Sequence, residues 1–211
     1  MKYFRHGIVA MLLASASAVG AQTLPAPAEF YFDTDERVAA PIVAIEGDDE
    51  ATYAKLRTAI ERNARNADQA TAQLAHVLMR TGRTDTGRAL YDQLLGALAP
   101  RSPLRASVHW NYGWDLSRNG DAEAALAQWL QSLDGRLVKP SWVPPTLAFA
   151  LWRLDRKQDA VRWYAAAVRT EPQLWNDPAR FESLLPGWRD DERAVLAEVF
   201  AAWQADPTAW P

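Results

Sequence analysis

The 211-residue sequence contains no cysteine and only three histidines. Without cysteine the chain can form neither a disulfide nor a thiolate nucleophile, and so few histidines make a histidine metal site hard to build. No serine lies in a Gly-x-Ser-x-Gly turn, and no glycine-rich loop suits a phosphate. We therefore expect a protein that is not an enzyme and that uses no cofactor and no metal.

Catalysis by carboxylates needs none of these residues, because glycosidases use only two acidic side chains across a cleft. Asp115 and Glu123 are available. Neither has a sequence context that separates it from a solvated helix residue, so neither is predicted to be catalytic.

Beyond the N-terminus, no apolar run reaches the roughly 20 residues that a membrane-spanning helix needs. Residues 1–21 begin with two basic residues, continue through a short apolar run and end on small residues around Ala21. This layout is typical of a secretory signal peptide cleaved after Ala21. We expect export to the periplasm, with secretion as the alternative, and no stable membrane span after cleavage.

Positive charge is also scarce. Loss of Lys2 and Arg5 with the signal peptide leaves 21 basic residues against 26 acidic ones, a net charge of −5. An acidic chain argues against nucleic acid or an anionic lipid surface as the main partner.

The remaining chain changes character near residue 48. Residues 22–47 contain three prolines and no helical period, which predicts an extended or flexible lead-in. From Asp48 onward, apolar residues recur at helical spacing almost to the end, and no stretch alternates with period two. The sequence therefore predicts an all-α protein, with residues 48–66 forming an N-terminal flanking helix.

One pattern recurs three times in this helical region. A small residue is followed four positions later by an aromatic one, and a preceding helix carries another small residue with a leucine three positions on. Small side chains let two antiparallel helices approach closely, a glycine can close the turn between them, and the aromatic fills the space beside the pair. The small–aromatic pairs are Gly87–Tyr91, Ala125–Trp129 and Ala160–Tyr164; the preceding pairs are Ala75–Leu78, Gly113–Leu116 and Ala148–Leu151; the turn positions are Gly82, Gly120 and Asp155.

This pattern resembles the tetratricopeptide repeat family. The units would span residues 68–101, 106–139 and 141–174, together 68–174, with residues 175–211 as C-terminal capping helices. The resemblance implies a right-handed α-solenoid of about three hairpins whose first helices line a concave face that binds peptides. The chain departs from the family where an early tryptophan is replaced by Thr71, His109 and Pro144.

The same register implies which residues would face this groove. An arginine recurs near the end of each first helix, and aromatic rings cluster in the second and third units. The implied groove residues are Arg80, Trp110, Trp114, Arg118, Phe149, Trp152 and Arg153.

Other roles are open for these residues. One alternative is that the arginines only complement the helix dipole; another is that several of the tryptophans belong to the core. Phe30-Tyr31-Phe32 of the lead-in could also occupy the groove.

We expect a periplasmic interaction scaffold that binds a peptide or protein partner of the cell envelope in this groove. The alternative is an envelope protein that binds or processes glycans with the same tryptophans, since indole rings make stacking platforms. A third interpretation is a structural subunit of a larger envelope complex. The inner basic and asparagine positions of peptide-carboxylate-clamping family members are absent, so that mode of binding is not expected.

Overall fold

The structure is a computed structural model that describes residues 24–34, 36–137 and 139–207. Within these ranges the chain folds into eleven α-helices and one short 3-10 helix, and it forms no strand. An isolated bridge between Asp33 and Pro140 is the one β-type pairing among these residues. The predicted all-α class is confirmed, whereas the predicted signal peptide, residues 1–21, lies outside the described residues.

The helices follow one another with short connections. In chain order they are α1 (Glu36–Ala39), α2 (Glu50–Glu61), α3 (Ala67–Arg80), α4 (Thr84–Ala97), α5 (Pro103–Arg118), α6 (Ala122–Ser132), α7 (Val143–Arg153), α8 (Lys157–Thr170), α9 (Pro172–Trp175), the 3-10 helix (Pro178–Arg180), α10 (Phe181–Leu184) and α11 (Asp190–Ala205).

Six of these helices form three hairpins, α3–α4, α5–α6 and α7–α8, and each helix packs most extensively against the other helix of its hairpin. The turn residues Gly82, Gly120 and Asp155 have φ values of 83°, 88° and 58°. This left-handed conformation lets the amide after the turn bond back into the first helix. Accordingly the carbonyls of Leu78, Leu116 and Leu151 accept from Arg83 N, Asp121 N and Arg156 N at 2.8, 3.0 and 2.9 Å.

One small residue at a predicted position, Gly87, brings the two helices of its hairpin close together. A Cβ on Gly87 would lie 2.8 Å from the carbonyl oxygen of Ala75, so the α3 and α4 backbones nearly touch there. Gly113 serves a different purpose, because the space beside it is filled by the indole of Trp129. Trp129 also donates its Nε1–H to Trp110 O at 3.3 Å, so this aromatic packs inside its own hairpin as well as towards the next.

Flanking helices cover both ends of the three hairpins. At the N-terminal side α2 packs on α3, and its cap Asp49 accepts from Thr52 N at 2.8 Å. At the C-terminal side α11 packs on α7 and α8 and buries Leu196, Val199 and Phe200. Across the part of the chain that the structure describes, no helix is both long and apolar enough to cross a bilayer.

Candidate functional site

A cleft of about 680 Å³ opens over the first helices of the hairpins. Its floor comes from α3, α5 and the start of α7. One rim is the lead-in between residues 36 and 48, and the other is the segment 184–188 that precedes α11. The cleft therefore lies over the first helices of the hairpins and is bounded by residues 36–48 and 184–188.

The seven residues predicted to face the groove divide into two sets. Arg80, Trp110, Trp114 and Arg118 line the cleft. Phe149, Trp152 and Arg153 are not among its lining residues.

Three of the four predicted aromatic groove residues are buried in the core. Trp110 and Trp114 are only 5% and 8% exposed, and Phe149 is 1% exposed. Trp152 is half-buried beside α11, where its Nε1–H donates to Glu198 at 2.8 Å and Lys157 lies 3.7 Å above its ring.

The recurring arginines do not form a common cationic surface. Arg80 lies 3.7 Å from Asp48, a distant and exposed ion pair. Arg118 forms a bidentate pair with Glu192 at 2.8 and 3.1 Å. Arg153 turns to Ser117 O at 3.3 Å, with its guanidinium 5.7 Å from the centre of the Phe149 ring. Each arginine thus has its own local partner.

A contiguous aromatic cluster forms the apolar part of the cleft. Trp110 packs against Trp142 with ring centres 4.3 Å apart, and Trp114 packs against Trp188 at 4.9 Å. Trp142 and Trp188 are the half-buried members of this cluster, and both line the cleft. Sequence reasoning missed Trp188 as a lining residue because it belongs to the segment predicted only to cap the array.

A polar triad that sequence reasoning did not assemble lies at the same cleft. His76 Nδ1 lies 2.7 Å from Asp115 Oδ1, and Tyr91 donates its hydroxyl to Asp115 Oδ2 at 2.8 Å. Because a carboxylate can only accept, His76 donates from Nδ1 and keeps Nε2 available. Burial, reinforced by the Asp115 charge, raises the pKa of Tyr91 well above its usual value, so Tyr91 stays protonated as the donor.

The triad can orient an imidazole towards a ligand. The His76 side chain is 43% exposed, whereas that of Asp115 is 5% exposed. His76 on α3 and Asp115 on α5 belong to the first helices of adjacent hairpins. They are 39 residues apart, one more than the corresponding positions Ala75 and Gly113, so the repeat pattern alone indicates that they lie close together. His109, by contrast, is buried against Gln128, and burial lowers its pKa.

The lead-in also contacts the floor of the cleft, although not through the predicted segment. Tyr31 packs against Trp163, with ring centres 5.9 Å apart, and its amide donates to Thr170 on the α8 side. The hypothesis that Phe30-Tyr31-Phe32 covers the groove tryptophans is therefore wrong. Residues 37–45 lie there instead: Trp110 Nε1 donates to Ala39 O at 3.2 Å, and Gln73 bonds to Ala44 and Ile45.

Comparison of the chain with protein-family models, with curated proteins and with solved structures finds no match. Over residues 24–34, 36–137 and 139–207, no group of three or more His, Asp or Glu side chains is arranged to hold a metal ion.

Proposed function

We propose that the chain is an exported interaction scaffold of the cell envelope that binds a peptide or protein segment in this cleft. In this proposal the three hairpins are tetratricopeptide-like repeats that stack as a right-handed α-solenoid, with α2 and α11 as caps. The identical backbone hydrogen bonds at the three turns, and the contacts between successive hairpins, support this interpretation.

The observation that carries the proposal is the chemical make-up of the cleft. Binding sites for small ligands and short segments are concave and mostly apolar, with a few oriented polar groups and volumes of roughly 300–1,000 Å³. Here the rings of Trp142 and Trp188 provide apolar surface, while His76 and Asn111 provide polar groups. His76 is held in one orientation by Asp115, so a hydrogen bond to a partner would need little further ordering.

A glycan ligand is the alternative, and one observation favours it. Trp142 and Trp188 keep part of their rings accessible at the cleft, as a sugar-stacking platform requires. The buried Trp110 and Trp114 are poorly placed for that role, because neighbouring rings already cover them.

The proposal is tested by changing cleft residues whose side chains are accessible. We expect the double substitution Arg80→Glu with His76→Gln to abolish recovery of a partner from an envelope extract, because both side chains line the cleft on α3. Replacing Trp110 and Trp114 would be a poor test, since truncating a buried tryptophan costs about 3–5 kcal/mol.

The matched control is Arg83→Glu, which makes the same charge change at an exposed residue that does not line the cleft. Equal recovery with the cleft variant and the control would contradict the proposal. Titration of tryptophan fluorescence separates the two ligand classes: a change with peptide supports the scaffold, and a change with cell-wall glycan alone supports the alternative.

A further inference from the structure

The lead-in is held against the hairpins mainly through its own backbone. On α5, Ser107 Oγ donates to Arg37 O at 3.3 Å, Trp110 Nε1 to Ala39 O at 3.2 Å, and Asn111 Nδ2 to Ala40 O at 3.0 Å. These three donors lie on one face of α5, at spacings of three and one residues. They therefore bind backbone carbonyl oxygens of a short stretch of peptide, and these hydrogen bonds do not depend on its side chains.

Gln73 on α3 continues this recognition of the backbone. Its Oε1 accepts from Ala44 N at 2.8 Å and from Ile45 N at 3.0 Å, while its Nε2 donates to Ile45 O at 2.8 Å. Both ends of a buried side-chain amide are thus satisfied by peptide groups of the lead-in. If the lead-in left, this amide would face the cleft without these partners, which is costly for a buried polar group.

The side chains of the lead-in contribute less to its docking. Val38 is the one buried residue of α1, whereas Val43 is 51% exposed. The helix α1 has four residues and packs on α5. Residues 36–45 are thus held by a few hydrogen bonds, by buried Val38 and by half-buried Ala39 and Ile42. A short segment with so little buried apolar surface belongs to the low-stability parts of a fold, which open locally before the rest.

We propose that the inner faces of α3 and α5 form a site that recognises peptide backbone, and that residues 37–45 occupy it as an internal ligand. The partner segment would then be a short peptide with aliphatic side chains that, like residues 37–45, begins as a helical turn and continues without regular structure, and it would bind by displacing these residues. This proposal rests on the proposed scaffold function and names its ligand class. Its first consequence is that the free site must bind the same peptide supplied in trans.

The test uses a fluorescein-labelled peptide with the sequence of residues 36–46, ERVAAPIVAIE, titrated onto the full chain. Val38→Asp should release the lead-in, because it places a charge at the buried position, while every donor on α3 and α5 remains. The apparent affinity for the peptide equals the intrinsic affinity multiplied by the fraction of molecules whose site is free. We therefore expect this variant to bind the peptide at least about tenfold more tightly than the unmodified chain. Because Ile42 is half-buried against the core, Ile42→Asp provides a second, independent release if Val38→Asp fails to fold.

Two matched controls sharpen the result. Phe32→Asp adds the same charge at an exposed position of the lead-in that neither belongs to residues 37–45 nor lines the cleft, and should bind the peptide as weakly as the unmodified chain. A peptide methylated at the nitrogens equivalent to Ala44 and Ile45 lacks the two donors to Gln73, and we expect its affinity for the released variant to fall by about tenfold or more.

The proposal is overturned if the released variants do not bind the peptide, if all chains bind it equally, or if the methylated peptide binds as well as the parent. This outcome is distinguishable from failure of the scaffold function, because the peptide titration needs no partner from an extract. If a partner is recovered through the cleft but the peptide does not bind, the scaffold function stands and the internal-ligand proposal is rejected.

Discussion

At the scale of single residues, Gly113 and Gly96 show how the same amino acid can have different roles inside a helix. A Cβ on Gly113 would lie 2.5 Å from Nε1 and 2.7 Å from Cδ1 of Trp129, whose ring is fully buried and cannot swing away. Gly96 lies in α4 with nothing within 4 Å of the same added atom. The first glycine is required by packing, whereas the second only weakens its helix.

We expect Gly113→Ala to lower the free energy of unfolding by about 1–3 kcal/mol, as overpacking of a core does. Gly96→Ala should raise it by about 0.5–1 kcal/mol, because alanine loses less backbone entropy in a helix. Chemical denaturation of both variants measures the two signs. A neutral Gly113→Ala would mean that Trp129 does not pack against this position.

At the scale of helices, Asp121 connects two hairpins. It is the N-cap of α6, where its side chain accepts from Ala124 N at 3.0 Å, and it also accepts from Arg88 of α4 at 2.8 Å. One carboxylate therefore both begins a helix and ties the first hairpin to the second.

These two roles can be separated by substitution. Asp121→Ala removes both and should cost about 1 kcal/mol or more of stability, the usual loss for an N-cap. Asp121→Asn keeps an oxygen for Ala124 N but loses both the charge and the acceptor for Arg88, because its amide nitrogen only donates, so its cost should be smaller than that of Asp121→Ala. Denaturation curves that show equal losses for the two variants would place the whole effect in the ion pair.

Helices and their turns could be predicted because their causes are local. The leucine, the turn residue and the small residues of each hairpin lie within one repeat, and the glycines and Asp155 at the turns are visible in the sequence. The position of the lead-in could not be predicted in this way. Its partners Gln73 and Asn111 lie 28 to 71 residues away, and a proline-containing stretch without a period gives no sign of where it docks.

At the scale of the whole molecule, the candidate site is shaped by two segments that flank the hairpins, residues 36–48 and 184–188. Four of the residues that the repeat register placed on the groove, Arg80, Trp110, Trp114 and Arg118, line this cleft. Their burial could not be read from the register, because Trp114 is covered by Trp188 and Trp110 is covered partly by Ala39. The exposure of these side chains is decided by contacts with segments distant in the sequence, whereas a repeat pattern indicates only contacts within a hairpin and with the next one.

Besides the apolar packing of α11 on α7 and α8, one ion pair ties the start of α11 to α5. Glu192 at the start of α11 is buried, accepts from Arg118 of α5 through both oxygens, and also accepts from Arg189 N at 2.8 Å. Arg118 in turn donates to Gly187 O at 3.0 Å and lies 5.0 Å from the centre of the Trp114 ring. This pair therefore fixes the segment that places Trp188 over the cleft.

Removing Glu192 should consequently affect both stability and the shape of the cleft. We expect Glu192→Ala to cost about 2–3 kcal/mol, less than a fully buried pair because Arg118 keeps some contact with water. Glu182→Ala, an exposed change in the same segment, should stay within about 0.5 kcal/mol of the unmodified chain. If the pair positions Trp188, hydrogen exchange of residues 184–205 will accelerate in Glu192→Ala while α3 and α4 stay protected; uniform acceleration would instead show that α11 and the hairpins unfold as one cooperative unit.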